Sequence, residues 1–493
     1  MKIIWKKLIF TCLVGFGLGS CTEDLTLTPI SQITNASFWK SPQEARGALN
    51  GMYVRMRSQA TTNLFVWGEG RSEIWVQNFG FDPSINFFVY TNNLSRVNPG
   101  PDWTTMYSVI HDANLLLKYV PTITFATEAE KNAILAQAYA MRAFTYFTMT
   151  KIWGDLILIE QPTEGFDPTT IYKERAPQAD VFKLIKSDIE KALTLFPDNT
   201  LPNGRNRWSK PALNALKADV FLWTAKRLNG GNTDFNTVLS AISEIETADV
   251  ALLSSFSDVF RFANKGNKEI LLSMRFQEGE SSARTVLGGV PTLTAPTAPF
   301  TSQEVINKIL PYYAGKDSYW QMSTLVTKQF SDDDSRKNAS FIEVNQTRNG
   351  TTSFMYNIDL KWPGTTSGGV TVMFDDFILY RYADVILMKA EAKNGLGQSP
   401  AEEMNKIRQR AYGAKFANYT FVNGTKEAND EAILQERLFE FLNEGKRWWD
   451  LVRFNKALEK VPLLKGKTQN DLLYPISETI LSLEPLVKQN PGY

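Results

Sequence analysis

The sequence is poor in the residues that most enzyme chemistry needs. It has a single histidine, His111, and only two cysteines, Cys12 and Cys21, in 493 residues. A histidine-centred triad therefore has one candidate base, and His111 sits mid-helix between Ile110 and Asp112, where a structural role is the simpler reading. No Cys/His cluster exists to hold zinc. Cys12 lies inside an apolar leader, so the chain beyond it keeps one cysteine and can form no internal disulfide. Charge is balanced as well: a formal net charge of +1 argues against a nucleic-acid binder or a polybasic membrane binder. After Leu18 no apolar run approaches membrane-spanning length. Walker, dinucleotide-binding and G-x-S-x-G patterns are absent. No cofactor is implied.

What is present begins at the N-terminus. Lys2, Lys6 and Lys7 precede the apolar stretch Leu8 to Leu18, which is too short to cross a bilayer and ends in small residues. Leu18-Gly19-Ser20-Cys21 resembles the lipobox of exported bacterial lipoproteins, in which the cysteine becomes the lipidated first residue. Residues 1–20 are therefore expected to be a signal peptide, and Cys21 a lipid anchor outside the cytoplasm. Several acyl chains on one residue hold a protein firmly to a membrane where one would be marginal. The other bias is aromatic, with 31 Phe, 17 Tyr and 12 Trp. Such rings fill cores, and they also make flat platforms for ligands.

Helical periodicity dominates the body. Ser41-Pro42-Gln43-Glu44 reads as an N-cap with proline in the first turn, leading into Ala45 to Met56. Residues 102–120 form a second helix. Residues 128–153 are apolar nearly all round, which marks a buried central helix ending at Gly154. Arg142 within it needs a carboxylate or carbonyl partner. Further helices are expected at 177–196, after the Ser209 cap, and in pairs at 376–396 with 400–412 and 428–443 with 445–459. Helix pairs joined by short turns suggest tetratricopeptide-like packing, although no regular repeat consensus is present. The fold class is thus mainly α. A single domain over 21–493 is expected to have an N-terminal helical scaffold at 35–231, a loop-rich insert with short strands at 232–375, and C-terminal helical pairs at 376–493. Strands are expected at 269–276 and 354–360. Long loops on a rigid scaffold are where ligand contacts are sought.

Four segments carry a resemblance to a known family. They are Trp103 to Asn114; Met141-Arg142-Ala143-Phe144 on to Trp153-Gly154-Asp155; Gly204-Arg205 before the Ser209 helix; and Glu436 to Leu451, with its Glu-Gly-Lys-Arg-Trp-Trp-Asp core. Together with Leu473-Tyr474-Pro475-Ile476 and the ending Asn490-Pro491-Gly492-Tyr493, they resemble the SusD/RagB family of outer-membrane lipoproteins over essentially the whole chain beyond the leader. The resemblance implies a binding protein and not an enzyme. Such proteins act as a lid on a SusC-type TonB-dependent transporter. They capture oligosaccharides, or peptides in the RagB-like branch. A helical-repeat adaptor without a small ligand is the alternative from another class.

The residues themselves weigh the same way. Glycoside hydrolysis needs two facing carboxylates, one kept protonated. Glu436, Glu440 and Glu444 lie on one helix face but among Arg437, Lys446, Arg447 and Arg453, which would keep them ionised. A charge network that locks the last helix pair is the better reading. Asp332-Asp333-Asp334 lacks EF-hand spacing and reads as a solvated loop, so no metal is assigned. Sugar binding needs aromatic faces with polar edges. Trp39, Trp103, Trp153, Trp208, Trp223, Trp448 and Trp449 fall on helices or at their entries and are assigned to packing. The ligand candidates are Trp67, Arg71, Trp75, Asn78 and Phe79 in the dense early loop, Tyr312, Tyr313 and Trp320 in the insert, and Trp362.

Overall fold

The computed structural model describes residues 38–61, 63–77, 82, 84–165, 167, 171–281, 319–362, 364–368 and 370–493. Cys21, and with it the expected anchor, lies outside these residues. The first helix, α1 (Pro42–Ala60), starts at a capping box. Ser41 Oγ accepts from the Glu44 amide at 3.4 Å, and the Glu44 carboxylate accepts from the Ser41 amide at 2.7 Å. A short helix, α2 (Asn63–Glu69), and a strand, β1 (Trp75–Gln77), follow. Then come α3 (Thr104–Tyr119), α4 (Glu128–Trp153), α5 (Gln178–Leu195), α6 (Lys210–Arg227) and α7 (Gly231–Ile245). Each of α4 to α7 packs against the helix before it, and α3 packs on α1. This is the helix-pair scaffold that periodicity predicts. It continues through α7, beyond residue 231 where the sequence suggests a change of character, because Phe235, Val238, Ile242 and Ile245 join the common core.

Helix α4 has the predicted bounds and is buried on most faces. Its arginine finds its partner: Arg142 makes a bidentate pair with Asp188 of α5 at 2.7 Å for both contacts, and its Nη1 donates to Asn114 of α3 at 2.6 Å. One guanidinium thus ties three helices together.

Among the described residues the strands form two-stranded antiparallel ribbons. β2 (Ile270–Met274) pairs with β6 (Phe377–Arg381), β3 (Trp320–Met322) with β1, and β4 (Phe341–Arg348) with β5 (Thr351–Asp359). β6 corrects the helix expected from 376: helix α8 (Tyr382–Gly395) starts only after it. The run Phe-Ile-Leu-Tyr-Arg is apolar and aromatic, so its periodicity is ambiguous, and pairing with β2 decides it. Then come α9 (Ala401–Tyr412), α10 (Lys426–Phe441) and α11 (Arg447–Arg453).

The turn between α10 and α11 touches α2 backbone to backbone. A Cβ added at Gly68 would fall 1.8 Å from the Gly445 carbonyl oxygen, so only glycine allows the approach. Glu69 fixes this junction by accepting from the amides of Asn443, Lys446 and Arg447 at 2.8 to 3.1 Å. The early segment and the C-terminal pair are therefore one unit.

Beneath this junction lies an ionic core. Glu440 accepts from Arg336, Arg381 and Arg410, Glu436 pairs with Arg336 and Arg408, and Glu444 pairs with Arg381 and Lys361. The network expected from the Glu436–Glu444 spacing is present, and its partners come from distant parts of the chain. A second cluster pairs Asp384 with Lys446 and Arg437, and Glu391 with Arg453 and Lys226. Burial pushes both carboxyls up, but these cations outweigh it and hold each at about 2. The unfolded values are 3.8 and 4.5. A depressed carboxyl adds stability above its unfolded pKa and loses it as pH falls toward the folded one. The contribution of these pairs is therefore complete above about pH 5, and the melting temperature is expected to drop steeply between about 4.5 and 2 as it is lost. A calorimetric pH series that stays flat to pH 2 would show that these ion pairs do not contribute.

Candidate functional site

The ribbon of β1 and β3 joins the two regions from which ligand contacts are expected. Trp75 is paired with Met322, and Gln77 with Trp320. Trp320 is fixed on two sides: its Nε1 donates to Asp82 at 2.7 Å, and its ring stacks on Tyr90 at 4.6 Å. Trp75 meets Phe65 and Tyr90 edge-on. Beside these rings is a cleft of about 320 Å³. Trp75, Tyr90 and Trp320 line it together with Val76, Gln77, Thr91 and Leu325. Residues Val461, Pro462 and Leu463 of the C-terminal region close another wall. Val76, Leu325 and Leu463 are 39%, 61% and 51% exposed, unusual for large apolar residues. Polar groups are few: Ser72, Glu73, Gln77, Thr91 and Ser323. Glu73 Oε1 is held by Arg447 at 2.6 Å.

Apolar walls over fixed aromatic rings, with scattered hydroxyl and amide groups, can take the C–H face of a ring and orient its polar edge. They offer no acid and base pair. Burial raises three carboxyls elsewhere, Glu69 to about 8, Asp375 to about 7 and Asp359 to about 6. None lines this cleft. Each also accepts N–H donors, Glu69 three of them, and such donors favour the charged form. Among the described residues no group of His, Cys, Asp or Glu is arranged to hold a metal ion.

The structure redistributes the candidate residues. Trp67 is fully buried, edge-on to Trp153 at 5.6 Å, and presents no face to a ligand. The segment around it is helix α2 and not loop, which turns the ring inward. Arg71 is also interior. It donates to the carbonyls of Asp471 and Leu472 and lies over the Trp448 ring at 4.6 Å, so it pins the C-terminal segment. Trp362 stacks on Phe377 at 5.8 Å and donates to the Asn443 carbonyl at 3.1 Å, a packing role. Trp75 and Trp320 line the cleft but are each only 1% exposed, so they form its base and not a free platform. Asn78, Phe79, Tyr312 and Tyr313 lie outside the described residues. Leu325, Leu463 and Val76 are cleft residues that sequence reasoning passed over. Their only signal is an apolar side chain outside any periodic stripe.

Comparison with known proteins agrees with this architecture. The SusD family profile matches residues 361–493, and a second profile, described as starch-binding associating with outer membrane, matches residues 37–222. A SusD-like protein of Formosa agariphila is 28% identical over 99% of both chains. The solved structure of NanU from Bacteroides fragilis is 31% identical, covers 94% of this chain and 99% of its own, and superposes with a TM-score of 0.82. A SusD superfamily protein of Bacteroides vulgatus is likewise 31% identical, with coverage of 92% and 100% and a TM-score of 0.82.

Proposed function

This chain belongs to the SusD family, and from that membership we propose that it captures oligosaccharides at the bacterial surface and passes them to a SusC-type TonB-dependent transporter. It binds and does not cleave. The observation that carries this reading is the cleft at the β1–β3 ribbon, where fixed aromatic rings and exposed apolar side chains meet a few hydroxyl and amide groups. The family profile's association with the outer membrane supports the location. The attachment is assigned to a lipid on Cys21, on the strength of the lipobox-like run Leu18-Gly19-Ser20-Cys21, with the protein facing outward. Tethering keeps such a lid at high effective concentration beside its barrel.

The test is titration calorimetry of the lipid-free chain against a panel of neutral oligosaccharides, with product analysis of each mixture. Saturable heat without new reducing ends is expected for at least one glycan. Release of shorter sugars would overturn the binding-only claim, and silence across the panel would favour the adaptor reading. The apolar lining from Val76, Leu325, Pro462 and Leu463 also suits an apolar peptide side chain, so a peptide panel tests the RagB-like alternative. Copurification of a barrel transporter from gently solubilised outer membranes checks the partner.

A further inference from the structure

A second cleft lies along α1, where that helix meets the segment before α6 and the end of β2. Its volume is about 690 Å³, within the range of small-molecule sites. Three guanidinium groups line it: Arg57, Arg207 and Arg275. One carboxylate faces them, Glu280, which pairs with Arg57 at 2.9 Å and whose side chain is 55% exposed.

Elsewhere, apart from Arg71, which is spent on the carbonyls of Asp471 and Leu472, buried arginines are neutralised. The buried arginines 142, 336, 381, 437, 447 and 453 each sit against a carboxylate. Arg207 and Arg275 have no ion-pair partner among the described residues. Arg207 is nevertheless held in place. Arg207 lies over the Tyr53 ring at 4.2 Å and donates to Asn50 at 2.6 Å. Arg275 crosses Gly204, where an added Cβ would fall 2.6 Å from its Nη1, and its backbone carbonyl accepts from Arg57 at 3.2 Å. Gly204 has φ +78°, so the Gly204-Arg205 motif both makes the turn and leaves room for this guanidinium.

Unneutralised guanidinium groups facing a cavity are built for anions. Their planar fork matches carboxylate and sulfate oxygens. Glu280 shows that a carboxylate fits against Arg57. Asn206 and Gln277 on the same walls can serve sugar hydroxyls. We propose that this cleft binds an acidic saccharide through its carboxylate or sulfate group, at a site separate from the Trp75–Trp320 cleft. The choice of a saccharide over other anions rests on the glycan-capture reading above.

The experiment is calorimetry of the lipid-free full chain with three probes: an oligogalacturonate, a sulfated neutral-backbone oligosaccharide and inorganic sulfate. The neutral panel runs in parallel. At least one acidic saccharide should bind more tightly than inorganic sulfate, and the first two probes separate carboxylate from sulfate recognition. Affinity should fall at least about tenfold in Arg275→Gln and in Arg57→Gln, and should weaken as salt rises from about 50 to about 300 mM. Arg57 is partly solvent-facing, so that variant keeps the test valid if Arg275→Gln misfolds. Arg207→Lys, which keeps the charge but loses the planar fork, should give an intermediate loss. No acidic binding by the wild type, or undiminished binding in Arg57→Gln and Arg275→Gln, overturns the proposal. Tight binding of inorganic sulfate with no gain from the saccharide also overturns it. Loss of neutral-glycan binding alone would count against the first cleft and leave this one standing.

Discussion

Replacing Arg381 with methionine is expected to cost about 3 to 5 kcal/mol of folding stability, the range for removing one partner of a buried ion pair. The residue ends β6 and is fully buried. Its Nη1 donates to Glu269 at 2.8 Å and Glu440 at 2.6 Å, and its Nε and Nη2 both donate to Glu444 at 2.8 Å. Burial pushes the Glu440 and Glu444 carboxyls up, but the surrounding cations outweigh it and hold both below the usual range. Methionine fills similar volume, so the loss comes from stranded charge and not from a cavity. Glu269 and Glu440 would keep Arg410, and Glu444 would keep Lys361, which sets the cost below that of three bare carboxylates. Urea unfolding measures it. The double variant Arg381→Met with Glu444→Gln should recover part of the loss, since it removes the most exposed debt of the first change. A loss under about 1 kcal/mol would mean that water reaches the network and screens it.

This network also shows what the sequence could and could not disclose. The spacing of Glu436, Glu440 and Glu444 places three carboxylates on one face of a helix, and their basic neighbours imply pairing. The actual partners of Glu440 are Arg336, Arg381 and Arg410, each at least 30 residues away. No local pattern specifies such a meeting. Helix α4 was legible because its periodicity and its Gly154 end are local facts. Strand β6 was not, because its apolar run fits either geometry until β2 lies beside it.

The candidate site divides along the same line. Aromatic density at 63–81 and around 320 drew attention to the two segments that pair as β1 and β3. Which way each ring faces depends on tertiary packing. Trp67 turns into the core because α2 must lie against Gly445, and that contact joins residues almost 380 apart. The exposed apolar rim, Leu325 and Leu463 above all, follows no period. In a sequence it cannot be told from ordinary surface variation.

Leu325→Arg is expected to weaken neutral-oligosaccharide binding by at least about tenfold while leaving the fold intact. Leu325 is 61% exposed on a short helix at the cleft rim. Its side chain contributes little to the core, so the change in stability should stay within about 0.5 kcal/mol. A long cationic side chain there lies across walls of mostly apolar character and competes with a sugar face for the same surface. Trp320→Ala should abolish binding too. That variant also removes the Tyr90 stack and the Asp82 hydrogen bond, and a large aromatic deletion costs about 3 to 5 kcal/mol. Its loss of binding would not separate recognition from packing. Leu325→Arg does separate them, and Leu463→Arg on the facing wall repeats the test independently. Unchanged melting temperature with lost binding in both variants locates recognition at this cleft. Unchanged binding in both would leave Trp75 and Trp320 as packing residues and move glycan capture to another surface.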